Sequence, residues 1–185
     1  MSQQPGSFYP DLGAAIHGTD APGDIIQSLE LVRVEFINFD SELRVGQIVV
    51  AKFLAEEVRE IFDAIRDAGF PLQSVIPIAY FGHDDDRSIA ANNTSAFNYR
   101  NVAGTDRLSR HSYGTAIDIN PWLNPYVNLD GSLISPSNED RTYEPSVAGT
   151  IVEGDPVVEA YDKFGWVWGG RWTEDHDYQH FDKVK

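Results

Sequence analysis

The sequence predicts a single α+β domain. It has one strongly amphipathic helical stretch, over residues 54–65, with short apolar runs of strand type before and after it. Strands and helices do not alternate regularly as a doubly wound parallel sheet would require. The 185 residues fit one domain of ordinary size and are enough to bury a real core.

Residues 1–28, with Pro5, Gly6, Pro10, Gly13, Gly18, Pro22 and Gly23, read as an irregular lead-in, and residues 29–185 as the folded domain. Leu31 to Phe36 alternate as a strand does, with Val32, Val34 and Phe36 on one face. Ile48-Val49-Val50 is a second strand-like run. Leu54, Val58, Ile61 and Ile65 then recur at helical spacing among charged residues, and Gly69 followed by Pro71 ends that helix. Ser74 to Tyr80 reads as a strand, one that Pro77 confines to an edge. Residues 120–150, rich in Asn, Pro, Ser and Gly, read as a long surface excursion. Asp155-Pro156 opens a helix, Val157, Ala160, Tyr161 and Phe164 form its buried stripe, and Gly165 stops it. Trp166-Val167-Trp168 and the segment around His180 are short strands.

Composition narrows the function. Hydrophobic residues make up 42%, a globular proportion, and no stretch reaches the length of a membrane span. Met1 to Ala15 show neither the basic n-region nor the apolar h-region of a signal peptide. The formal net charge of −15 repels phosphate backbones and anionic lipid surfaces, which argues against nucleic-acid and membrane partners. Without cysteine there is no disulfide and no thiolate zinc site, so a metal here must take His and carboxylate ligands.

Those residue types concentrate in two segments. The first is Ser109-Arg110-His111-Ser112-Tyr113-Gly114-Thr115-Ala116-Ile117-Asp118. Gly114 allows a sharp turn, and Thr115 to Ile119 reads as a strand. With Ile117 and Ile119 facing the core, Asp118 points the other way, toward a His111 folded back by the turn. The second segment, Asp175-His176-Asp177-Tyr178-Gln179-His180-Phe181, supplies a third ligand and a nearby carboxylate. Catalytic zinc takes three protein ligands and keeps a position open to water. A further carboxylate beside the site moves the proton. His111, Asp118 and His180 fit the ligand roles and Asp177 the proton-handling one. Neither a lone His-x6-Asp nor a lone Asp-x-x-His is specific. His176 competes with His180 as ligand, and Glu174 and Asp175 compete with Asp177. Trp166, Trp168 and Trp172 either line a cleft or pack under the sheet.

Together the segments resemble the D-alanyl-D-alanine carboxypeptidase (VanY-type) family of zinc peptidases, which also contains phage L-alanyl-D-glutamate endopeptidases. Ser109, His111, Gly114, Ala116 and Asp118 match the pattern SxHxxGxAxD. Trp168, Gly169, Gly170, Trp172, Asp177, His180 and Phe181 match a Trp-Gly-Gly-x-Trp stretch leading to Asp-x-x-His-Phe. Asn92 to Arg100 resembles a branch of the family that usually has Cys where Tyr99 stands.

The resemblance spans roughly residues 30–185. It implies a zinc peptidase domain with a small antiparallel sheet flanked by helices, a fold shared with the Hedgehog signalling domain. It also implies one zinc per chain on His111, Asp118 and His180, and Asp177 as the acid/base. An arginine upstream of the first motif would polarise the scissile carbonyl or grip the substrate. Arg100 is the choice, with Arg87, Arg107 and Arg110 as competitors. Ser109 either binds substrate or caps the turn before His111. The implied substrates are peptidoglycan stem peptides, cut by a D-Ala-D-Ala carboxypeptidase or an L-Ala-D-Glu endopeptidase. The implied place of action is the cell envelope or outside the cell, with no obligate protein partner. The alternative from another class is a non-catalytic binding module of the same fold, braced by zinc.

Overall fold

The computed structural model describes residues 8–136 and 142–184. Its architecture is α+β, built from small, mostly antiparallel sheets and a few helices. Among the described residues, no helix is long and apolar enough to cross a membrane.

Strands β1 (Leu29–Ile37) and β2 (Leu43–Ala51) form an antiparallel ribbon in register from Leu29↔Ala51 to Ile37↔Leu43. Val32, Val34 and Phe36 turn their shared face into the core, as their alternation predicts. Helix α3 (Ala55–Asp67) lies across β1 and buries Val58, Ile61, Phe62 and Ile65. Its end follows the expected chemistry, with Gly69 in the left-handed region at φ 71°.

The expectation of an irregular lead-in over residues 1–28 misses two short helices, Leu12–Ala15 (α1) and Gly23–Gln27 (α2). Around them Tyr9, Ala15, Ile16, Ala21 and Ile25 pack against Leu29, Val49 and Phe97 in a second apolar cluster. This explains the unbroken Ile48-Val49-Val50 run: Ile48 and Val50 face the main core while Val49 is covered by the lead-in. Both faces of that strand are dry, so alternation is lost. These helices run four and five residues, too short to show a helical period in sequence.

The strand expected from Ser74 to Tyr80 is also corrected. Only Ser74–Val75 (β3) pairs, in parallel with Asn93–Thr94 (β4), and Ile78–Phe81 form a 3-10 turn. Pro77, at φ −55° just before that turn, has no N–H to give a ladder. Helix α4 (Asp85–Ala90) lies between these strands and starts on an Asp84 side-chain cap to the Arg87 N–H.

Two three-stranded sheets build the site. One has the order β5 (Ala116–Asp118), β10 (His180–Lys183), β8 (Trp166–Trp168). Its register sets His180 opposite Asp118 and Phe181 opposite Ile117. Helix α5 (Pro156–Lys163) packs on β8 and α3, and its Tyr161 stacks on Phe181 with ring centroids 4.1 Å apart.

The other sheet has the order β7 (Leu133–Ser135), β6 (Tyr126–Asn128), β9 (Asp175–Asp177). The stretch 120–150 is therefore more than a surface excursion, because β6 pairs with the strand that carries Asp177. Buried Asn124 ties it down, donating to the Ile119, Asn120 and Gly149 carbonyls and accepting from the Ile151 N–H. Residues 137–141 of this stretch lie outside the described residues.

Candidate metal centre

The first motif folds as a cap, a turn and a strand. Ser109 Oγ accepts from the His111 N–H at 3.3 Å and opens the 3-10 turn Arg110–Tyr113 that carries His111. Gly114 closes the turn at φ 64°. A Cβ there would come within 2.7 Å of Ala51 N and 2.8 Å of Val50 C, so the position needs glycine for space as well as for conformation. The turn docks on β2 through an Ala51 N–H to Gly114 O bond of 2.9 Å. Strand β5 then turns Ile117, with Ile119 just beyond it, into the core and leaves Asp118 on the opposite side.

His111, Asp118 and His180 converge as their spacing predicts. His111 Nε2 lies 3.2 Å from Asp118 Oδ2 and 3.2 Å from His180 Nδ1, and His180 Nδ1 lies 3.0 Å from Asp118 Oδ1. His111 Nδ1 is 2.7 Å from the Ala96 carbonyl. A carbonyl only accepts, so that nitrogen carries a hydrogen, and Nε2 is the atom turned to the cluster. One nitrogen from each histidine and both Asp118 oxygens thus meet in one place.

The spacing fits a metal. Tetrahedral zinc with ligands at roughly 2.0–2.1 Å has ligand–ligand edges of about 3.3 Å, close to the 3.2 Å between His111 Nε2 and His180 Nδ1, each of which also has one Asp118 oxygen 3.0–3.2 Å away. Charge points the same way. Burial works against an ionised Asp118, yet the neighbouring His111 and His180 outweigh it and hold its pKa well below the usual carboxylate range. Burial likewise opposes a charged His180, but Asp118, with Asp177 and Asp182 behind it, pushes its pKa up. The pocket therefore favours positive charge, and two imidazoles with one carboxylate suit a zinc that keeps an open position.

Asp177 lies at the end of β9. Its Oδ1 is buried without a hydrogen-bond partner, while the Gln179 side chain bonds to the carboxyl group. Burial, and then the charge of Asp118, pushes its pKa up to about 6 against the opposing pull of His180 and Gln179. An unpaired buried carboxyl oxygen costs stability, so it marks a group held ready for something other than packing. The two motif glycines shape its surroundings. A Cβ at Gly169 would meet Asp177 O at 2.6 Å, and one at Gly170 would strike the Trp168 ring at 2.3 Å.

The other expected residues fall differently. Arg100 is fixed beside the His111 turn, its N–H donating to Ser112 Oγ at 2.9 Å and its carbonyl accepting from that hydroxyl at 2.7 Å. Its guanidinium faces away from a free role, with Nε 2.6 Å from Asp85 Oδ2 on α4. Arg110 pairs with Asp182 at 2.7 Å, Arg87 donates to the Phe81 carbonyl, and Arg107 is exposed on the hairpin between Asn101 and Leu108. His176 lies on the other face of β9 from Asp177, stacked against Tyr178 and apart from the three converging ligand atoms.

Sequence reasoning missed Tyr126. It stands opposite Asp177 in the β6–β9 register and donates to Asp175 Oδ2 at 2.6 Å. The Trp172 ring sits between the Tyr126 and His180 rings, 6.4 Å from the first and 5.5 Å from the second. Trp172 therefore borders the site, while Trp166 and Trp168 pack in the core. A three-residue strand inside an Asn- and Pro-rich stretch leaves no periodic signal that could have marked Tyr126.

In a comparison with known families, residues 103–183 match the family model described as D-alanyl-D-alanine carboxypeptidase. That is the family the two motifs resemble, and the matched stretch contains His111, Asp118, Asp177 and His180. No curated protein and no solved structure matches the chain.

Proposed function

We propose that this chain, whose residues 103–183 carry the D-alanyl-D-alanine carboxypeptidase family match, is a zinc metallopeptidase that hydrolyses peptide bonds in peptidoglycan stem peptides. The observation that carries the reading is the meeting of His111 Nε2, His180 Nδ1 and the two Asp118 oxygens, in contacts of 3.0–3.2 Å, beside the Asp177 carboxyl group, one of whose oxygens is buried without a partner.

In this reading His111, Asp118 and His180 hold one zinc ion. When bound, zinc supplies Lewis acidity, making water more acidic and a carbonyl more electrophilic. Asp177 takes the proton from the attacking water and returns it to the departing amine. Ser109 Oγ already accepts from the His111 N–H, which leaves its own hydrogen for a substrate oxygen. Arg100 is proposed to steady the scissile carbonyl or the substrate, which requires its side chain to leave Asp85 when substrate arrives. The unpartnered Asp177 oxygen favours an enzyme over a zinc-braced binding module, since a bracing metal has no use for it.

The test is digestion of purified peptidoglycan by the zinc-loaded protein, with released fragments identified by mass spectrometry. Free D-alanine is the product of a carboxypeptidase, and a new D-glutamyl N-terminus that of an endopeptidase. Absence of any fragment would leave the binding module as the reading. In the same assay Arg100→Ala should lower turnover about 100-fold, the scale of losing one group that stabilises developing charge. Zinc content and melting temperature should stay unchanged. If Arg100→Ala is as active as wild type while Arg107→Ala or Arg110→Ala is inactive, the role passes to that arginine.

A further inference from the structure

Arg100 is held firmly by its main chain and weakly by its side chain. The main chain is bonded to the turn that carries His111: the Arg100 N–H donates to Ser112 Oγ, and the carbonyl accepts from that hydroxyl and, at 3.0 Å, from the Ser109 N–H. Asn98 is bound to the same turn, its N–H donating to the His111 carbonyl at 3.2 Å. The Arg100 side chain reaches instead to helix α4. Of the three consecutive aspartates there, Asp84 caps the helix and Asp86 is exposed, while Asp85 meets residues 98 and 100. The buried Asn98 side chain donates to Asp85 Oδ1 at 2.9 Å, which fixes the carboxylate. Arg100 Nε lies 2.6 Å from Asp85 Oδ2, yet that nitrogen has no hydrogen-bond partner among the described residues. The pair is close but not aligned, and it forgoes the directed N–H···O bonds that make arginine–carboxylate pairs strong. Both side chains are 34% exposed, so water screens the attraction that is left.

We infer that Asp85 is a latch on Arg100, a carboxylate that competes with the substrate for the guanidinium and so sets how tightly the substrate binds. Both ends of the latch are fixed, Asp85 by Asn98 and the Arg100 main chain by Ser109 and Ser112. Only the long Arg100 side chain has to move, and it starts from a residue bonded to the His111 turn. A substrate oxygen that takes aligned bonds from the guanidinium gains what Asp85 does not supply. Releasing the pair costs no more than an exposed ion pair is worth, which is small beside the binding of a peptide. The inference rests on the reading of Arg100 as the arginine that meets substrate, and it adds the residue that restrains it.

The experiment follows hydrolysis, by the zinc-loaded full-length protein, of a stem peptide that carries both the L-Ala-D-Glu and the D-Ala-D-Ala bonds. Asp85→Asn keeps an acceptor for Asn98 and removes the charge. It should lower KM about threefold with kcat unchanged, the scale of one exposed ion pair. Asp85→Glu, which restores the charge, should return KM to the wild-type value. In an Arg100→Ala background Asp85→Asn should leave KM where it is, because no guanidinium remains to be released. A KM that does not fall in Asp85→Asn, or that falls equally without Arg100, overturns the inference. So does a lower kcat in Asp85→Asn, which would make Asp85 a support for Arg100 and not a restraint, and so does an Arg100→Ala enzyme with wild-type kinetics. Calorimetric binding of the same peptide keeps the two readings apart. If wild type cleaves neither bond, the peptidase reading fails, and a Kd about threefold lower in Asp85→Asn, only while Arg100 is present, still supports the latch. An unchanged Kd overturns it.

Discussion

Asp177→Asn is expected to keep its zinc and its fold while losing roughly two to four orders of magnitude in hydrolysis rate. Asparagine preserves size and can still bond to Gln179, but it cannot accept a proton from water. A zinc ligand fails differently, because metal would be lost together with activity. The same substitution has an opposite effect on stability, and its sign can be worked out. The Asp177 pKa of about 6 in the folded protein stands above the value of about 4 expected for an aspartate in the unfolded chain. Below pH 4 the group is protonated in both states and contributes nothing. Between pH 4 and 6 the unfolded chain gives up the proton while the folded protein keeps it, so stability falls as pH rises, and the full penalty persists above that window. Chelator-treated Asp177→Asn should therefore melt a few degrees above chelator-treated wild type at pH 8 and at the same temperature near pH 4. An inactive but stabilised variant identifies a group kept for chemistry at a structural cost. Normal zinc with undiminished hydrolysis would move the acid/base role to Glu174 or Asp175.

The parts of this molecule that could be read in sequence are those where one residue type has few physical uses. Gly114 must turn the chain and admit the β2 backbone at once, so its position between His111 and Asp118 was informative before any fold was known. The alternation of Ile117, Asp118 and Ile119 separated a core face from the face that carries Asp118, and the structure keeps that separation. Helix α3 was legible because its apolar residues recur over more than three turns.

What stayed hidden depends on partners far along the chain. The lead-in helices form against Leu29, Val49 and Phe97, and their own few residues carry no period. Strand β6 exists because β9 and β7 flank it. The link from Tyr126 to Asp175 joins residues 49 positions apart. The Arg100–Asp85 pair belongs to the same class: the string ending at Arg100 was visible, but the acidic neighbour that holds its side chain was not.

Removing a ligand should have the largest effect of all. His180→Ala and His111→Ala are each expected to drop from about one zinc per chain to a small fraction of that, by elemental analysis after dialysis against a weak chelator. Each ring supplies one of three protein donors, and two remaining donors do not hold catalytic zinc against competition. Truncation to alanine also opens a cavity beside Trp172, so His180→Gln serves as the second variant, filling the space with a poor ligand. Wild-type protein should melt higher with added zinc than with chelator, because an ion that binds only the folded state stabilises it by mass action. All three variants should lose that difference while still unfolding cooperatively. The lost dependence on zinc then reports the site and not a damaged fold. Full zinc retention in both His111→Ala and His180→Ala would sink the ligand assignment. Retention in His180→Ala alone, with loss in His111→Ala, would require another donor in place of His180. The structure argues against His176 in that part, since its ring stacks on Tyr178 across the strand from Asp177.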